Sequence, residues 1–487
     1  MIQLTPFNEA FMLVKCEKDL AQELSEFFTF QVPGYQFSPQ YKNKLWDGKI
    51  RLFNIRERKL YRGLLEYVKI FCKQRKYDLD IDPELELTIN FSLKEGSDFA
   101  TSLGLPHVAR DYQMQAFVHA IRNKRMLILS PTASGKSFII YLILRYFQSI
   151  GLKRGLLIVP TTSLVEQMYS DFESYGYDSK SNCHKVYGGT ERASNSFLTI
   201  STWQSLYTQS PDFFHDFDFV FGDESHLFKA KSLTSILVNC VNAKYRIGLT
   251  GTLDGTATHR MVLEGLFGPV YKTITTKELI ENKSLAAFRI KCLTLKYPKE
   301  TCSRSNKWEY QDEIDFLVSN DARNKFIKNL VLSLKGNTLI LFNLVDKHGK
   351  VLYNMLKESV KDDRHLFFVY GKTEVEEREN ARKITEGEEN AIIVASYGTF
   401  STGINIRNLH NVIFASPSKS RIRNLQSIGR VLRLGDNKTQ ATLIDISDDL
   451  RTGKKPNITL QHFIERLKIY DEEKFDYKLY TIDLKNG

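Results

Sequence analysis

Met126-Leu127-Ile128-Leu129-Ser130-Pro131-Thr132-Ala133-Ser134-Gly135-Lys136-Ser137 is the stretch on which the fold turns. A short apolar run enters a turn of small and hydroxyl residues, and the turn opens on Phe138 to Phe147, whose apolar residues recur with helical period. Strand, tight turn and helix in that order are the context of a phosphate-binding loop. Amide N–H groups at a helix N-terminus cradle phosphates, a lysine reaches the β and γ oxygens, and a hydroxyl ligates Mg²⁺. Gly135, Lys136 and Ser137 supply these groups, with Pro131, Thr132, Ala133 and Ser134 completing the loop around ATP. The first glycine of the GxxxxGK(S/T) pattern is replaced by Ser130, so the motif is weak alone and its companions decide the reading.

Outward from this loop, short runs rich in Ile, Leu, Val and Phe alternate with stretches of helical spacing, which predicts parallel sheets covered by helices. The pattern occurs twice. The first lobe has strand candidates at Met126 to Ser130, Leu156 to Pro160, Leu198 to Ser201, Phe217 to Gly222 and Arg246 to Gly251. The second has them at Thr338 to Phe342, His365 to Tyr370, Ala391 to Ser396, Asn411 to Ala415 and Ala441 to Ile446.

Asp223-Glu224-Ser225-His226 ends one of these strands, at the sheet edge where ligands bind. Adjacent acids divide the labour there: Asp223 holds the metal ion and Glu224 orients and deprotonates a water. An isolated Asp-Glu pair is more often two solvated acids, and the phosphate loop upstream reverses that weighting. Arg110, Tyr112 and Gln113 precede the loop and offer a ring and an amide suited to the adenine edge. In the second lobe Gln426-Ser427-Ile428-Gly429-Arg430-Val431-Leu432-Arg433 places Arg430 and Arg433 three apart, on one face if helical, where they offset charge in phosphoryl transfer.

The order of these stretches resembles that of superfamily 2 helicases over residues 105 to 450. Further segments match in sequence: Val159 to Leu164 resembles motif Ia, Ser201 to Ser205 the Ib region, Gly248 to Thr252 motif III, and Ala395 to Asn405 motif V. The resemblance implies that Thr161, Thr162, Thr202, Trp203, Thr250, Thr252, Ser396 and Gly403 contact nucleic acid, that motif III links hydrolysis to movement, and that Gly403 and Asn405 also face the nucleotide. The bland readings stand beside these, since Thr161 and Thr162 suit a helix cap and Gly403 a turn. Within the superfamily the chain is most similar to phage UvsW recombination helicases, on Trp46 to Leu52 and on Tyr470 to Phe475. That likeness implies ATP-dependent 3′ to 5′ remodelling of branched DNA: fork regression, branch migration and R-loop unwinding in recombination, replication and repair. The family's usual loop glycine is Ala133 here. The motifs leave open an RNA helicase or RNA-stimulated ATPase, and a motor subunit or scaffold of a larger complex.

Charge and length fill in the remainder. At 487 residues the chain is long enough for about three or four domains. The resemblance implies two tandem RecA-like lobes, at 96–275 and 321–450, an α+β DNA-binding accessory domain at 1–95, a linker at 276–320 and a helical appendage at 451–487. A net charge of +11 favours a polyanionic partner, and residues 41 to 76 concentrate it with 12 basic against 3 acidic side chains. Within that stretch Leu45-Trp46-Asp47-Gly48-Lys49-Ile50 reads as a hairpin on an Asp-Gly turn. Lys42, Lys44, Lys49 and Arg51 suit phosphates, and Trp46, Tyr41 or Phe53 suit stacking on unpaired bases. The expected partner is branched or duplex DNA, including DNA-RNA hybrid. Six scattered cysteines predict reduced core thiols, with no zinc module. Without a leader pattern or a membrane-length apolar run, a cytoplasmic protein is expected, in the host cytoplasm if phage-encoded.

Overall fold

Alternate residues of Ile2–Pro6 (β1) and Phe11–Lys15 (β2) are buried, so the two strands pair antiparallel with one face inward. Thr29–Gln31 (β3) pairs antiparallel with Lys49–Arg51 (β4). Phe53–Asn54 (β5), Lys59–Tyr61 (β6) and Leu79–Ile81 (β7) complete a sheet ordered β5-β6-β2-β1-β7, covered by helices Lys18–Phe27 and Leu65–Arg75. The computed structural model describes residues 1–187, 195–228, 231–253, 255–360, 364–403, 406–418, 420–434, 438 and 440–484. Two compact units result, residues 1–130 with 135–273, and residues 274–487 grouped with the short loop 131–134.

In the first unit the next strands are Arg125–Leu129 (β8), Gly155–Val159 (β9), Cys183–Val186 (β10), Leu198–Thr202 (β11), Phe219–Gly222 (β12), Tyr245–Thr250 (β13) and Val270–Lys272 (β14). They form one parallel sheet ordered β10-β11-β9-β12-β13-β8-β14. Every residue of β9, β11 and β13 is buried, as in a sheet with helices on both faces. The N-terminal sheet is seated on this lobe. Leu24, Phe28, Val68 and Phe71 share one apolar cluster with Phe217, Leu237, Leu263 and Phe267. Glu9 accepts from Arg62 Nη1 at 3.1 Å and from Arg125, and Tyr67 donates its hydroxyl to buried Glu264.

Ala287–Lys296 (β15), Thr338–Phe342 (β16), Leu366–Val369 (β17), Ile392–Ser396 (β18), Asn411–Phe414 (β19), Gln440–Asp449 (β20) and Tyr477–Asp483 (β21) build the second unit's parallel sheet. Its order is β17-β18-β16-β19-β20-β15-β21. Each predicted strand appears within a few residues of its expected bounds. Two expectations are corrected. The segment 276–320 is not an irregular linker: β15 pairs along its whole length with β20, and Lys299–Ser305 and Tyr310–Ser319 are helices. The segment 451–487 is more than a helical appendage, because β21 joins the sheet behind helix Ile458–Glu472.

Two buried ion pairs fasten helices to β20. Arg466 forks onto Asp445 at 2.8 Å twice, with Tyr470 O–H donating to the same carboxylate at 2.8 Å and Arg466 Nη1 donating to Ser418 O at 2.8 Å. Arg323 of helix Asp321–Ser333 pairs likewise with Asp448 at 2.8 and 3.1 Å, and Tyr297 O–H donates to Asp448 at 2.7 Å. The five described buried cysteines and Cys16 are all free thiols. Among the described residues no helix is long and apolar enough to cross a membrane.

Removing one partner of a buried pair strands the other charge. Arg466→Ala is expected to destabilise the second unit by about 3–5 kcal/mol in urea denaturation; a loss under about 1 kcal/mol would deny the pair its fastening role. A second expectation concerns His348, buried with Nδ1 2.9 Å from Ser416 Oγ. Burial, aided by the Arg323 charge, pulls its pKa from 6.5 to about 3. The unfolded chain therefore takes up the proton first, and stability is lost as pH falls from the unfolded value toward the folded one. One unit below the unfolded pKa the cost is about 1.4 kcal/mol. Melting curves of wild type and His348→Gln should converge as pH drops through this window; parallel curves would contradict it.

Candidate active site

Parallel pairing sets β8, β13 and β12 side by side, with Leu129 opposite Thr250 and Gly222 opposite Gly248. The loop after β8, the end of β13 and the acids after β12 therefore emerge together at the carboxyl edge. Gly135 has φ +80 and caps helix Lys136–Ser149, a conformation that glycine adopts without Cβ strain. A Cβ there would stand 2.5 Å from Gln113 Nε2, so the Gln113 amide occupies the space a side chain would need. Ala133 takes a left-handed φ of +67, which explains the family's preference for glycine at this point. Lys136 Nζ reaches back to Ser130 O at 3.5 Å, and Ser137 Oγ lies 2.9 Å from Tyr175 O–H. Pro131 O accepts from Ser134 N at 3.2 Å, Ser130 and Ser134 are buried, and Thr132 lies in the same turn.

Asp223 is buried, and its Oδ1 has no hydrogen-bond partner among the described residues. Burial, with the Glu224 charge beside it, raises its pKa to about 6 against the opposing charge of Lys136. Glu224 adopts φ +48, a strained backbone for a side chain with a Cβ, and its carboxylate is 22% exposed. Strain of this kind gathers at functional sites. Glu224 Oε2 lies 3.3 Å from His226 Nδ1, and that nitrogen lies 3.1 Å from Thr250 Oγ1. Thr250 in turn donates to Thr252 O at 2.9 Å, and His259 Nε2 meets His226 O at 2.8 Å. Sequence reasoning gave His226 no role; its signal was its place two residues after Glu224.

Gln113 and Tyr112 are buried at the start of helix Asp111–Asn123. Gln113 accepts from Arg110 N at 2.9 Å, and Arg110 Nη1 donates to Tyr112 O–H at 3.0 Å. The three are thus preassembled, with the Gln113 amide against Gly135.

The residues expected at nucleic acid divide. Thr161 caps helix Thr162–Ser174, accepting from Leu164 N at 3.3 Å, while Thr162 is exposed at its first turn. Thr202 Oγ1 is 3.1 Å from Ser205 Oγ, and Trp203 packs half-buried at the lobe core. Ser396 Oγ is 2.8 Å from Thr399 Oγ1 at the start of helix Tyr397–Gly403, which Gly403 ends. Asn405 lies outside the described residues. Thr250 and Thr252 are both buried; the Thr250 hydroxyl meets His226 and Thr252, while Thr252 Oγ1 has no hydrogen-bond partner among the described residues.

In the second unit Gln426 and Arg430 lie on helix Arg421–Val431, and the Arg430 guanidinium is 5.9 Å from the Phe400 ring centre. The helix ends at Val431, so Arg433 follows in a bend and does not share a helical face with Arg430 as expected. Buried Lys438, which sequence reasoning missed, donates to Val431 O and, at 2.9 Å, to Arg407 O, closing the end of that helix.

In the N-terminal sheet Asp47-Gly48 does not turn a hairpin on itself. β4 pairs with β3, because residues 33–48 fold into an excursion closed by Val32 N donating to Gly48 O at 2.8 Å. Lys44 and Lys49 are exposed, Arg51 donates to Asp47 Oδ1 at 3.3 Å, and Trp46 is half-buried with its indole N–H on Lys49 O at 2.8 Å. Phe53 is core and cannot stack on a base.

Comparison with known proteins agrees with this layout. The family model "DNA helicase UvsW, N-terminal" matches residues 2–82, "Type III restriction enzyme, res subunit" matches 107–255, and "Helicase conserved C-terminal domain" matches 321–435. The ATP-dependent DNA helicase uvsW of Enterobacteria phage T4 is 34% identical over 498 residues, 97% of each chain. The DNA 3'-5' translocase XPB2 of Sulfurisphaera tokodaii is 26% identical over 69% of this chain and 81% of its own. The crystal structure of T4 UvsW aligns with a TM-score of 0.51 at 31% identity, covering 99% of this chain and all of that one. A DNA-bound restriction-modification enzyme, LlaBIII, shares the fold at a TM-score of 0.56 and 17% identity, over 85% of this chain and 34% of its own. With nearly all of both chains matched at that identity to the T4 protein, this chain belongs to the UvsW family of ATP-dependent DNA helicases, within superfamily 2.

Proposed function

We propose that the chain uses ATP hydrolysis to drive 3′ to 5′ remodelling of branched DNA: fork regression, branch migration of junctions and unwinding of R-loops. The observation that carries the hydrolytic half is the buried Asp223 carboxylate with an unpartnered oxygen, within electrostatic reach of Lys136 at the end of the phosphate loop. An orphaned buried carboxylate and the Ser137 hydroxyl are hard oxygen donors and fit Mg²⁺, which Asp223 and Ser137 would hold. The ion, when bound, neutralises charge on the phosphates. Lys136 exchanges the Ser130 carbonyl for phosphate oxygen, Glu224 orients and deprotonates the water, and His226 steadies Glu224. Arg430 and Arg433 offset the charge that develops in transfer. Gln426, Gly403 and Asn405 belong to the same motif series.

Branched DNA as substrate is supported by the family and by the exposed lysines of the N-terminal excursion. The direction is supported by the related XPB2, named a 3'-5' translocase. Thr161, Thr162, Thr202, Trp203 and Ser396, at the carboxyl ends of their strands, are the proposed backbone contacts.

Glu224→Gln is expected to lower DNA-stimulated ATP hydrolysis by roughly 10²–10⁴-fold, with Lys136→Ala and Arg433→Ala also strongly impaired and DNA affinity retained. Normal turnover by Lys136→Ala or Glu224→Gln would remove the assigned site. A separate measurement addresses the lysines: Lys44→Ala combined with Lys49→Ala should reduce the slope of log affinity against log salt by about 2, because each phosphate contact contributes about 0.9. An unchanged slope would take both off the DNA.

A further inference from the structure

Residues 33–48 leave the paired strands β3 and β4 as an exposed knob with an ordered interior. A short turn at Tyr35–Phe37 and the helix Pro39–Lys42 set Tyr35 edge-on to Tyr41, with ring centres 4.6 Å apart. Gly48 has φ +77, and a Cβ on it would stand 2.5 Å from the Tyr35 ring, so the closing turn packs tightly beneath. The Trp46 indole is fixed by its bond to Lys49 O, and Asp47 accepts from Lys49 N at 3.1 Å and from Arg51.

A concavity of about 590 Å³ opens on this knob, lined by Tyr41, Leu45 and Trp46, by Lys42 and Lys44, and by Asp47, whose carboxylate is paired with Arg51. Leu45 is 79% exposed and nearby Phe37 74%, large apolar side chains left in water on a basic surface. A folded protein gains nothing from that arrangement by itself, and such patches mark binding sites. The complement of an apolar, aromatic lining with lysines beside it is a flat apolar ligand carried on an anionic chain. Nucleotides have that chemistry, but a duplex hides its base faces by stacking, so only unpaired bases present them.

We infer that this concavity takes an unpaired nucleobase of DNA, with Tyr41, Leu45 and the Trp46 ring edge against the base and Lys42 and Lys44 on the flanking phosphates. The inference rests on the proposal that the chain acts on DNA and specifies how a branch point is told from plain duplex: by its unpaired bases. Trp46 is then less a free stacking platform than a fixed wall, since its N–H is committed to Lys49.

The test compares the whole chain on a forked DNA, with 2-aminopurine as the first unpaired base, and on a blunt duplex of equal length. Wild type is expected to prefer the fork by roughly tenfold, the size of one base stack, and to change the probe's emission on binding. Tyr41→Ala with Leu45→Ser should bring the preference near one and abolish the emission change, while Tyr41→Phe keeps both. Both positions are exposed, and an unchanged melting temperature would certify folding. A wild type without fork preference, a double variant that keeps it, or a loss of equal size on fork and duplex would each overturn the inference. Hydrolysis stimulated by the same DNAs separates the two levels. Its absence in wild type overturns the motor reading, whereas its presence with an unaltered fork preference in the double variant overturns the base site alone.

Discussion

A carboxylate taken out of water with one oxygen unpartnered is costly until a cation meets it, and Asp223 is held in that condition by strand order. β12 lies one strand away from β8, so the acid and the phosphate loop are fixed on either side of β13. The intervening strand is not idle. Its last residue, Thr250, turns its hydroxyl onto His226, which faces Glu224, so the acid that would handle water is tied to the turn following β13. A shift in the Thr250–Thr252 turn is thereby a shift at Glu224. Burial of Thr250 and Thr252 holds that turn against His226.

The second unit solves a different problem, that of holding helices on a sheet whose central long strand carries acids. Asp445 and Asp448 of β20 are three residues apart and so face opposite sides of the sheet. Each is met by an arginine from a different helix, Arg466 on Ile458–Glu472 and Arg323 on Asp321–Ser333. Buried pairs of this kind add little net stability over apolar packing but penalise wrong arrangements heavily. Glu313 repeats the device at the start of helix Ile458–Glu472, accepting from Ile458 N at 3.0 Å and Thr459 N at 2.8 Å. The C-terminal segment is thus part of the lobe's core.

Periodicity made the buried parallel strands legible, since a strand covered on both faces is a continuous apolar run. Strands outside that rule escaped notice. β15 alternates buried and exposed residues over its first half, and β21 is largely exposed, so neither has the apolar run that marked its neighbours. The phosphate loop and the acid pair were legible because their chemistry demands fixed residue types beside a strand end. The roles of Arg323, Arg466 and Lys438 were not, because a basic residue on a helix or loop reads as solvated until its buried partner, far off in sequence, is known. The Asp47-Gly48 turn was legible as a turn, but the partner of the following strand was set by the Val32 to Gly48 hydrogen bond and β3, which no local pattern encodes.

The excess charge of residues 41 to 76 shows how a sequence feature changes meaning once folded. Much of it is used internally. Arg62 pairs with Glu9 at 3.1 Å and with Glu84 at 3.6 Å, Lys69 with Glu66 at 2.7 Å and Glu86 at 2.6 Å, and Lys59 with Glu57 at 2.7 Å. Arg75 meets Glu23 at 3.4 Å and lies over the Phe71 ring at 4.2 Å. Glu84 and Glu86 thus bind part of this basic stretch to the module. Lys42, Lys44 and Lys49 have no such ion pair among the described residues, and all three lie on or at the foot of the excursion. Charge left uncompensated by folding is charge available to a polyanion. Arg56, Lys73 and Lys76 are likewise exposed without an ion pair among the described residues, so a part of that charge sits on the knob that also exposes Leu45 and Phe37.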